Sequence, residues 1–330
     1  MAYHLGPLTH KGGRMNCGYQ PTNWGEWPKW NGDSEFRTPR FKFSCSTTDY
    51  SGKTNSDVVT LLKNRELLEI YRDLTIGDQM QLILELGFFQ GGMPLFLADM
   101  IAPKNVLAID GCQPSDHLKS LVERSHLSSI IELVGGVDQA DTRKIRSIVD
   151  DRFGAEPLDM IIDDCSHWYP QTKACFEALF GYLRPGGKYI IEDWGWTHWP
   201  SAPWQTTDSP FHGKESMTNL VFELIMALGS DHTKIARVDF RHWALVVVTR
   251  GETLPHKAPI DLREMMKIAP GQKISWLKRR RTWRSALGFR PTCGHATHFQ
   301  INSAFAGITQ KLHACFRARK HLSSGVSTPG

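Results

Sequence analysis

The 330-residue sequence predicts an α/β fold of the Rossmann-like kind, a seven-stranded, mostly parallel sheet that ends in an antiparallel hairpin. Three observations carry this. Five short apolar runs, 81-QLILEL-86, 105-NVLAID-110, 129-SIIELV-134, 158-LDMIID-163 and 188-KYIIED-193, suit strands buried on both faces. Each gap between them is long enough for one helix, and strict alternation of strand and helix implies a parallel sheet covered on both sides. Finally, 233-TKIARVDF-240 and 243-WALVVVTR-250 are joined by almost no linker, the pattern of a hairpin.

Taken in order, residues 1–54 are rich in Gly, Pro, Asn and aromatics, with Trp24, Trp27 and Trp30 close together and no sustained period. They read as an aromatic, loop-rich extension serving as a flap or collar. From Asn55 the pattern changes: Ser56 or Asp57 can cap a helix carrying Val58, Leu61, Leu62, Leu68 and Tyr71 at helical spacing. Pro94, just after Gly91-Gly92, fits the first turn of a helix, and Arg184-Pro185-Gly186-Gly187 reads as a helix stop before the fifth strand. A helix at about 215–229 precedes the hairpin. The expected domains are the extension 1–54, an α/β domain 55–255 and a basic C-terminal extension 256–330.

The net charge of +5 is unevenly distributed. No Asp or Glu follows Glu264, whereas residues 265–330 carry 12 Lys and Arg, so the main body is mildly acidic and attraction to polyanions belongs to the tail. Within the tail, 276-WLKRRRTWR-284 is basic, and Phe305, Ile308, Leu312, Cys315, Phe316 and Leu322 fall near one helical face. A basic amphipathic segment of this kind can lie on an anionic membrane; the alternative is a poorly ordered, solvated extension. Seven cysteines form no framework pattern and are expected to be reduced. The spacing of Cys293, His295, His298, His313 and Cys315 is too irregular for a zinc motif. No run approaches the roughly 18–20 apolar residues of a membrane span, and the start lacks the apolar core of a signal peptide. A cytoplasmic protein is expected, with peripheral membrane attachment through the tail as a variant. Homo-oligomerisation is left open.

In open α/β sheets ligands sit beyond the carboxyl ends of the strands. The first run ends 85-ELGFFQGG-92, where Gly87, Gly91 and Gly92 allow a ligand to approach the backbone and a helix N-terminus follows. The glycines alone fit tight helix–sheet packing equally well. Asp110 ends the second run, 25 residues after Glu85, where a carboxylate can take both hydroxyls of a ribose. The acidic pairs are more specific: the fourth run ends in Asp163-Asp164, followed by Cys165-Ser166-His167, and the fifth in Glu192-Asp193. On neighbouring strands these place up to four carboxylates in one cleft. Two such charges 4 Å apart cost roughly 4 kcal/mol at an effective dielectric of about 20. A divalent cation relieves this, and oxygen ligands favour Mg²⁺, Mn²⁺ or Ca²⁺ over zinc. Helix capping or pairing with Arg184 and Lys188 is the alternative. His167, tied to the acidic loop, is placed to act as general base, with His198 and His212 as substitutes. The loop 194-WGWTHWPSAPWQTTDSPFHG-213 brings Trp194, Trp196, Trp199 and Trp204, whose faces suit sugar rings or a flat polyketide.

The segment 161-IIDDCSHWYPQTKACFEALFGYLRPGGKYIIEDW-194 resembles the metal-dependent O-methyltransferases of macrolide sugars, the macrocin and mycinamicin group. It is also similar to the group called cephalosporin hydroxylases, whose fold is that of a methyltransferase. The resemblance covers about residues 80–250 and implies a class I methyltransferase fold with S-adenosylmethionine and Mg²⁺ (or Mn²⁺) as cofactors. It implies Asp164, Glu192 and Asp193 as metal ligands and His167 as catalytic base. Glu85, Gly87 and Asp110 fall to the cofactor, and Asp138-Gln139 to its adenine; Gly91 of the glycine loop and Asp163 at the end of the fourth run are also expected to bind the cofactor. Cys165 stands where the family usually has Ala. The implied reaction is methyl transfer to a hydroxyl of a glycoside, glycolipid or secondary metabolite. One rival is an RNA methyltransferase, suggested by the basic tail; no Asn/Asp-Pro-Pro-aromatic motif is present to hold an exocyclic amine, which argues against nucleic acid. Another is a non-catalytic protein of the same fold attached to membrane by the tail, against which stand both acidic pairs and His167.

Overall fold

The computed structural model describes residues 28–47, 50–200, 204–270, 272 and 274. Trp24, Trp27, the tail segments 276–284 and 304–322, and Cys293, His295, His298, His313 and Cys315 lie outside the described residues. The described chain opens with four short strands: β1 (Lys29–Asn31), β2 (Glu35–Arg37), β3 (Lys42–Cys45) and β4 (Val59–Leu61). They form a sheet in that order, antiparallel except for the parallel pair β3/β4.

This sheet corrects two expectations. The extension is not all loop, and Val59 and Leu61 belong to a strand rather than to a helix capped at Ser56 or Asp57. Strands of three or four residues are too short to show a period. What holds them is tertiary: Phe36 stacks on Phe43 at 4.7 Å, and both meet Phe96 edge-on. The helix α1 (Arg65–Thr75) starts later, at Asn64, whose side chain accepts a hydrogen bond from the Leu67 amide at 2.9 Å.

Then follow β5 (Leu82–Leu86), α2 (Gly92–Met100), β6 (Asn105–Ile109), α3 (Asp116–Arg124), β7 (Ile131–Val134), α4 (Thr142–Phe153), β8 (Leu158–Asp163), α5 (Tyr169–Leu179), β9 (Leu183–Glu192), α6 (Thr218–Ser230), β10 (Ile235–His242), β11 (Leu245–Arg250) and α7 (Leu262–Met265). The seven-stranded sheet runs β10-β11-β9-β8-β5-β6-β7. Its pairs are parallel except those of β11, which is antiparallel to both neighbours. This is the Rossmann-like, mostly parallel sheet with the terminal antiparallel hairpin that the sequence predicts. β9 begins earlier than expected and takes Arg184-Pro185-Gly186-Gly187 into the strand, across a register irregularity opposite Leu158–Met160.

The sheet separates two cores by strand parity. Leu84, Ile161, Tyr189, Ile191 and Val248 pack with Phe176 and Leu220 on one side. Ile83, Ile162, Ile190 and Val247 pack with Leu68, Tyr71 and Leu95 on the other. Packed structure runs past residue 255, where the sequence placed a boundary. Leu262 and Met265 are buried, and the backbone amides of Ile260 and Leu262 both donate to Glu177. Among the described residues no helix is long and apolar enough to cross a membrane.

Candidate metal and cofactor site

β8 and β9 are hydrogen-bonded neighbours, so their carboxyl ends place the two acidic pairs side by side. One ligand atom each from Asp164, His167 and Asp193 lies within 4.8 Å of the others. His167 Nε2 stands 3.6 Å from Asp164 Oδ1 and 3.7 Å from Asp193 Oδ2. His167 and Asp193 both hold left-handed backbone, φ 54° and 52°. Non-glycine residues keep that geometry only where the surroundings enforce it, commonly at functional sites. Here the Trp196 indole donates to the His167 carbonyl at 2.9 Å. The two carboxylates suit a hard divalent cation whose remaining positions are open to water or substrate, with the His167 imidazole beside it. Arg184 and Lys188 are not the counter-ions: Arg184 pairs with Asp159 and Asp78, and Lys188 with Asp78.

Glu192 is not brought to this trio. By strand parity it points to the same face as Ile190, toward α1, where Lys63 Nζ meets its two oxygens at 2.7 and 2.8 Å and the Tyr71 hydroxyl donates to Oε1. Lys63 also reaches Asp164 Oδ2 at 3.1 Å. Burial opposes its charge, but Asp164 and Glu192 outweigh burial and hold Lys63 above its ordinary pKa. Lys63 was missed in the sequence, because a single Lys after 61-LL-62 carries no local signal. Tyr50 was missed as well; burial, with the charges of Asp193 and Asp164, pushes its phenol up.

On the cofactor side, Glu85 is buried and its Oε2 has no hydrogen-bond partner. Burial pushes its carboxyl well above the ordinary range. Together with Lys63, Gly87, Phe88, Gln90 and Asp164 it lines a narrow, open cleft. A buried acceptor without a donor calls for a ligand hydroxyl or ammonium, so the cleft fits the polar part of a nucleoside cofactor. The Asp110 carboxylate accepts from the amides of Phe89 and Cys112, both at 2.8 Å, and so braces the glycine loop. Gly87, at φ 94°, has an additional reason to be glycine, since a Cβ there would stand 2.0 Å from the Asp164 carbonyl oxygen. A Cβ on Gly91 would strike Leu118 of α3 at 2.3 Å.

Asp163 and Gln139 are brought together in the interior. Gln139 Nε2 and the Tyr189 hydroxyl donate to Asp163 at 2.7 and 3.0 Å, while Gln139 Oε1 accepts from the Ser166 amide at 3.1 Å. Gln139 thereby pins the loop that carries Asp164 and His167. Burial pushes the Asp163 carboxyl up to about 7. Asp138 stays exposed and caps the Ala140 amide. His198 contacts Thr218, and neither it nor His212 joins the trio.

Beside Asp193 the aromatic loop meets the hairpin. Trp194 packs on Phe240 at 5.6 Å, and Trp199 packs edge-on against Trp204 and Trp243 at 4.9 and 4.6 Å. Trp196 is buried against Phe211, so its role is support. Phe240 and Trp243, contributed by the hairpin and unsuspected from the sequence, are 49% and 60% exposed and present apolar surface.

Residues 84–194 match the family of the methyltransferase domain. The chain is 38% identical over 81 residues to the mycinamicin VI 2''-O-methyltransferase of Micromonospora griseorubida, covering 24% of this chain and 19% of that protein. It is 39% identical over 69 residues to the demethylmacrocin O-methyltransferase of Streptomyces fradiae, covering 21% and 16%. The matched stretch thus spans under a quarter of these relatives' length. Among solved structures, a methyltransferase of the mycinamycin biosynthetic pathway, in complex with Mg, SAH and mycinamycin VI, is similar at 23% identity. Its TM-score is 0.43, with 58% of this chain and 50% of that one covered. The likeness to the sugar O-methyltransferases is thus found among the curated relatives, and the family model matches at the level of the methyltransferase domain.

Proposed function

We propose that this chain is a metal-assisted, S-adenosylmethionine-dependent O-methyltransferase that acts on a hydroxyl of a glycoside or related secondary metabolite. The observation that carries the reading is the Asp164–His167–Asp193 trio beyond two adjacent strands, beside the buried Glu85, whose Oε2 has no hydrogen-bond partner among the described residues. The names of the matched relatives, both O-methyltransferases, support a hydroxyl acceptor.

S-adenosylmethionine supplies an electrophilic methyl on its sulfonium, and a divalent cation lowers the pKa of a coordinated hydroxyl. Asp164 and Asp193 would hold the cation. Glu85 would accept a hydrogen bond from the cofactor, and Asp110 keeps the glycine loop in place beneath it. His167 Nε2, facing both carboxylates, takes the proton from the acceptor hydroxyl. Phe240, Trp243 and Trp199 offer faces and edges to the apolar side of a sugar ring and exclude water.

The test is mass spectrometry for the gain of one methyl group on a panel of glycosides, glycolipids and RNA, with S-adenosylmethionine and Mg²⁺ supplied. Methylation of a glycoside that EDTA abolishes is the expected result. Full activity in EDTA would remove the cation from the reaction, and methylation of RNA alone would replace the acceptor class.

A further inference from the structure

We propose that the outer edge of β10 pairs with β10 of a second copy of this chain, antiparallel and about a two-fold axis at Val238, so that two seven-stranded sheets join into one. This inference is independent of the catalytic reading above.

β10 ends the seven-stranded sheet, and among the described residues no strand pairs with its outer side. Such an edge presents a row of backbone donors and acceptors to any strand that reaches it. Its side chains divide by parity. Val238 packs on the core beneath α6, and Phe240, 49% exposed, shares that side and meets Trp194 edge-on. Arg237 and Asp239 occupy the other side, paired at 2.6 Å. The apolar side continues onto α6, which packs against β10. Glu223 turns toward α5, where it accepts from Tyr169 and Lys173. Ile225, about 200° further round the helix, therefore lies on the opposite flank, the one beside the open strand edge, and is 42% exposed.

The charges select one register. With the axis at Val238, Arg237 of each copy lies opposite Asp239 of the other, and Val238 lies opposite Val238. Phe240, held on Trp194, then reaches the bulged Ala236 of the second copy, whose methyl group leaves room for the ring. An axis one residue earlier or later sets Arg237 against Arg237 or Asp239 against Asp239, and like charges directly opposite destabilise a pair. An axis between two residues sets the charged side of one strand beside the apolar side of the other, because a one-residue slip exchanges the faces. Register shifts on either side of Arg237–Phe240 confine the pairing to this short stretch. So small a contact gives a weak dimer, and two-fold symmetry closes it at two copies, since each brings one β10. On the joined sheet both α6 helices lie on one face, with their Ile225 flanks turned toward each other across the axis.

The experiment is sedimentation velocity of the full chain over a range of concentrations. Wild type is compared with Arg237→Asp, Asp239→Arg, an equimolar mixture of these two, and the double variant Arg237→Asp/Asp239→Arg. Wild type should dimerise with a micromolar Kd. Each single reversal sets like charges opposite one another and should weaken association about tenfold or more. The mixture should restore it as a heterodimer, because the acidic strand of one variant then faces the basic strand of the other. The double variant exchanges the two charges and should associate as wild type does. All should melt near the wild-type temperature, since the pair lies at the surface. A wild type still monomeric at about 100 μM overturns the proposal, as does a dimer that neither reversal weakens, or single variants that do not recover on mixing. Should a reversal fail to fold, Val238→Cys carries the test. It places two thiols on the axis, and a short bis-maleimide should cross-link it into a dimer beyond any formed by wild type; no such excess would end the proposal.

Discussion

His167 and Asp193 hold left-handed backbone at adjoining strand ends, and the strain is supported by contacts such as the Trp196 indole on the His167 carbonyl. If His167 is the base, His167→Ala should cut turnover roughly 10²–10⁴-fold while Mn²⁺ affinity stays near wild type. Stopped single-turnover kinetics and a Mn²⁺ titration check both halves, and a large loss of affinity would make His167 a ligand instead. A second residue-scale prediction concerns pH. Burial raises Asp163 from 3.8 to about 7, so between these values the folded state binds more protons than the unfolded one. Stability contributed by this group therefore falls as pH rises from about 4 to about 7. Glu85, also raised by burial, acts in the same direction. Thermal denaturation across that range should show a shallower decline in Asp163→Asn than in wild type.

Among the elements, the β5–α2 turn lines the cleft, and the β10–β11 hairpin meets the aromatic loop that follows Asp193. Gly87→Ala forces a side chain onto a φ of 94° and a Cβ to 2.0 Å from the Asp164 carbonyl. It should cost about 2–4 kcal/mol in denaturant unfolding and weaken Mn²⁺ binding as the Asp164 loop is displaced. Retention of both would mean that the loop has room to yield. The hairpin tip carries Trp243, whose ring is 60% exposed and packs edge-on against Trp199. Trp243→Ala should raise KM for a glycosylated acceptor several-fold with little change in cofactor affinity, since the lost surface belongs to the acceptor side. Steady-state kinetics with either reactant varied would separate these effects. The apolar runs of the central strands were legible because burial on both faces makes them nearly uniformly apolar, and β10, largely exposed, was legible from its short link to β11. The strands β1 to β4 were not, because three residues show no period and their stability comes from Phe36 and Phe43 meeting Phe96, far away in the chain.

For the whole molecule, the folded unit extends beyond its expected end, because α7 packs near α5 and α6. A chain ending at Lys257 should therefore melt well below one ending at Lys267, with Leu262 and Met265 contributing roughly 2 kcal/mol each through burial. Equal melting temperatures would restore the boundary at 255. The alternation of strands and helices, the terminal hairpin and the adjacency of Asp164, His167 and Asp193 could all be read from the chain, because the first two follow from local periodicity and the last from the pairing of two strands joined by a short crossover. The division of labour within the acidic cluster could not. Glu192 pairs with Lys63 across 129 residues of sequence, and Gln139 pins Asp163 across 24. Which carboxylates meet Lys63 depends on the sheet face against which α1 packs. That choice belongs to the tertiary structure, since a buried charge is stabilised by whatever partner the fold brings to it rather than by its neighbours in sequence.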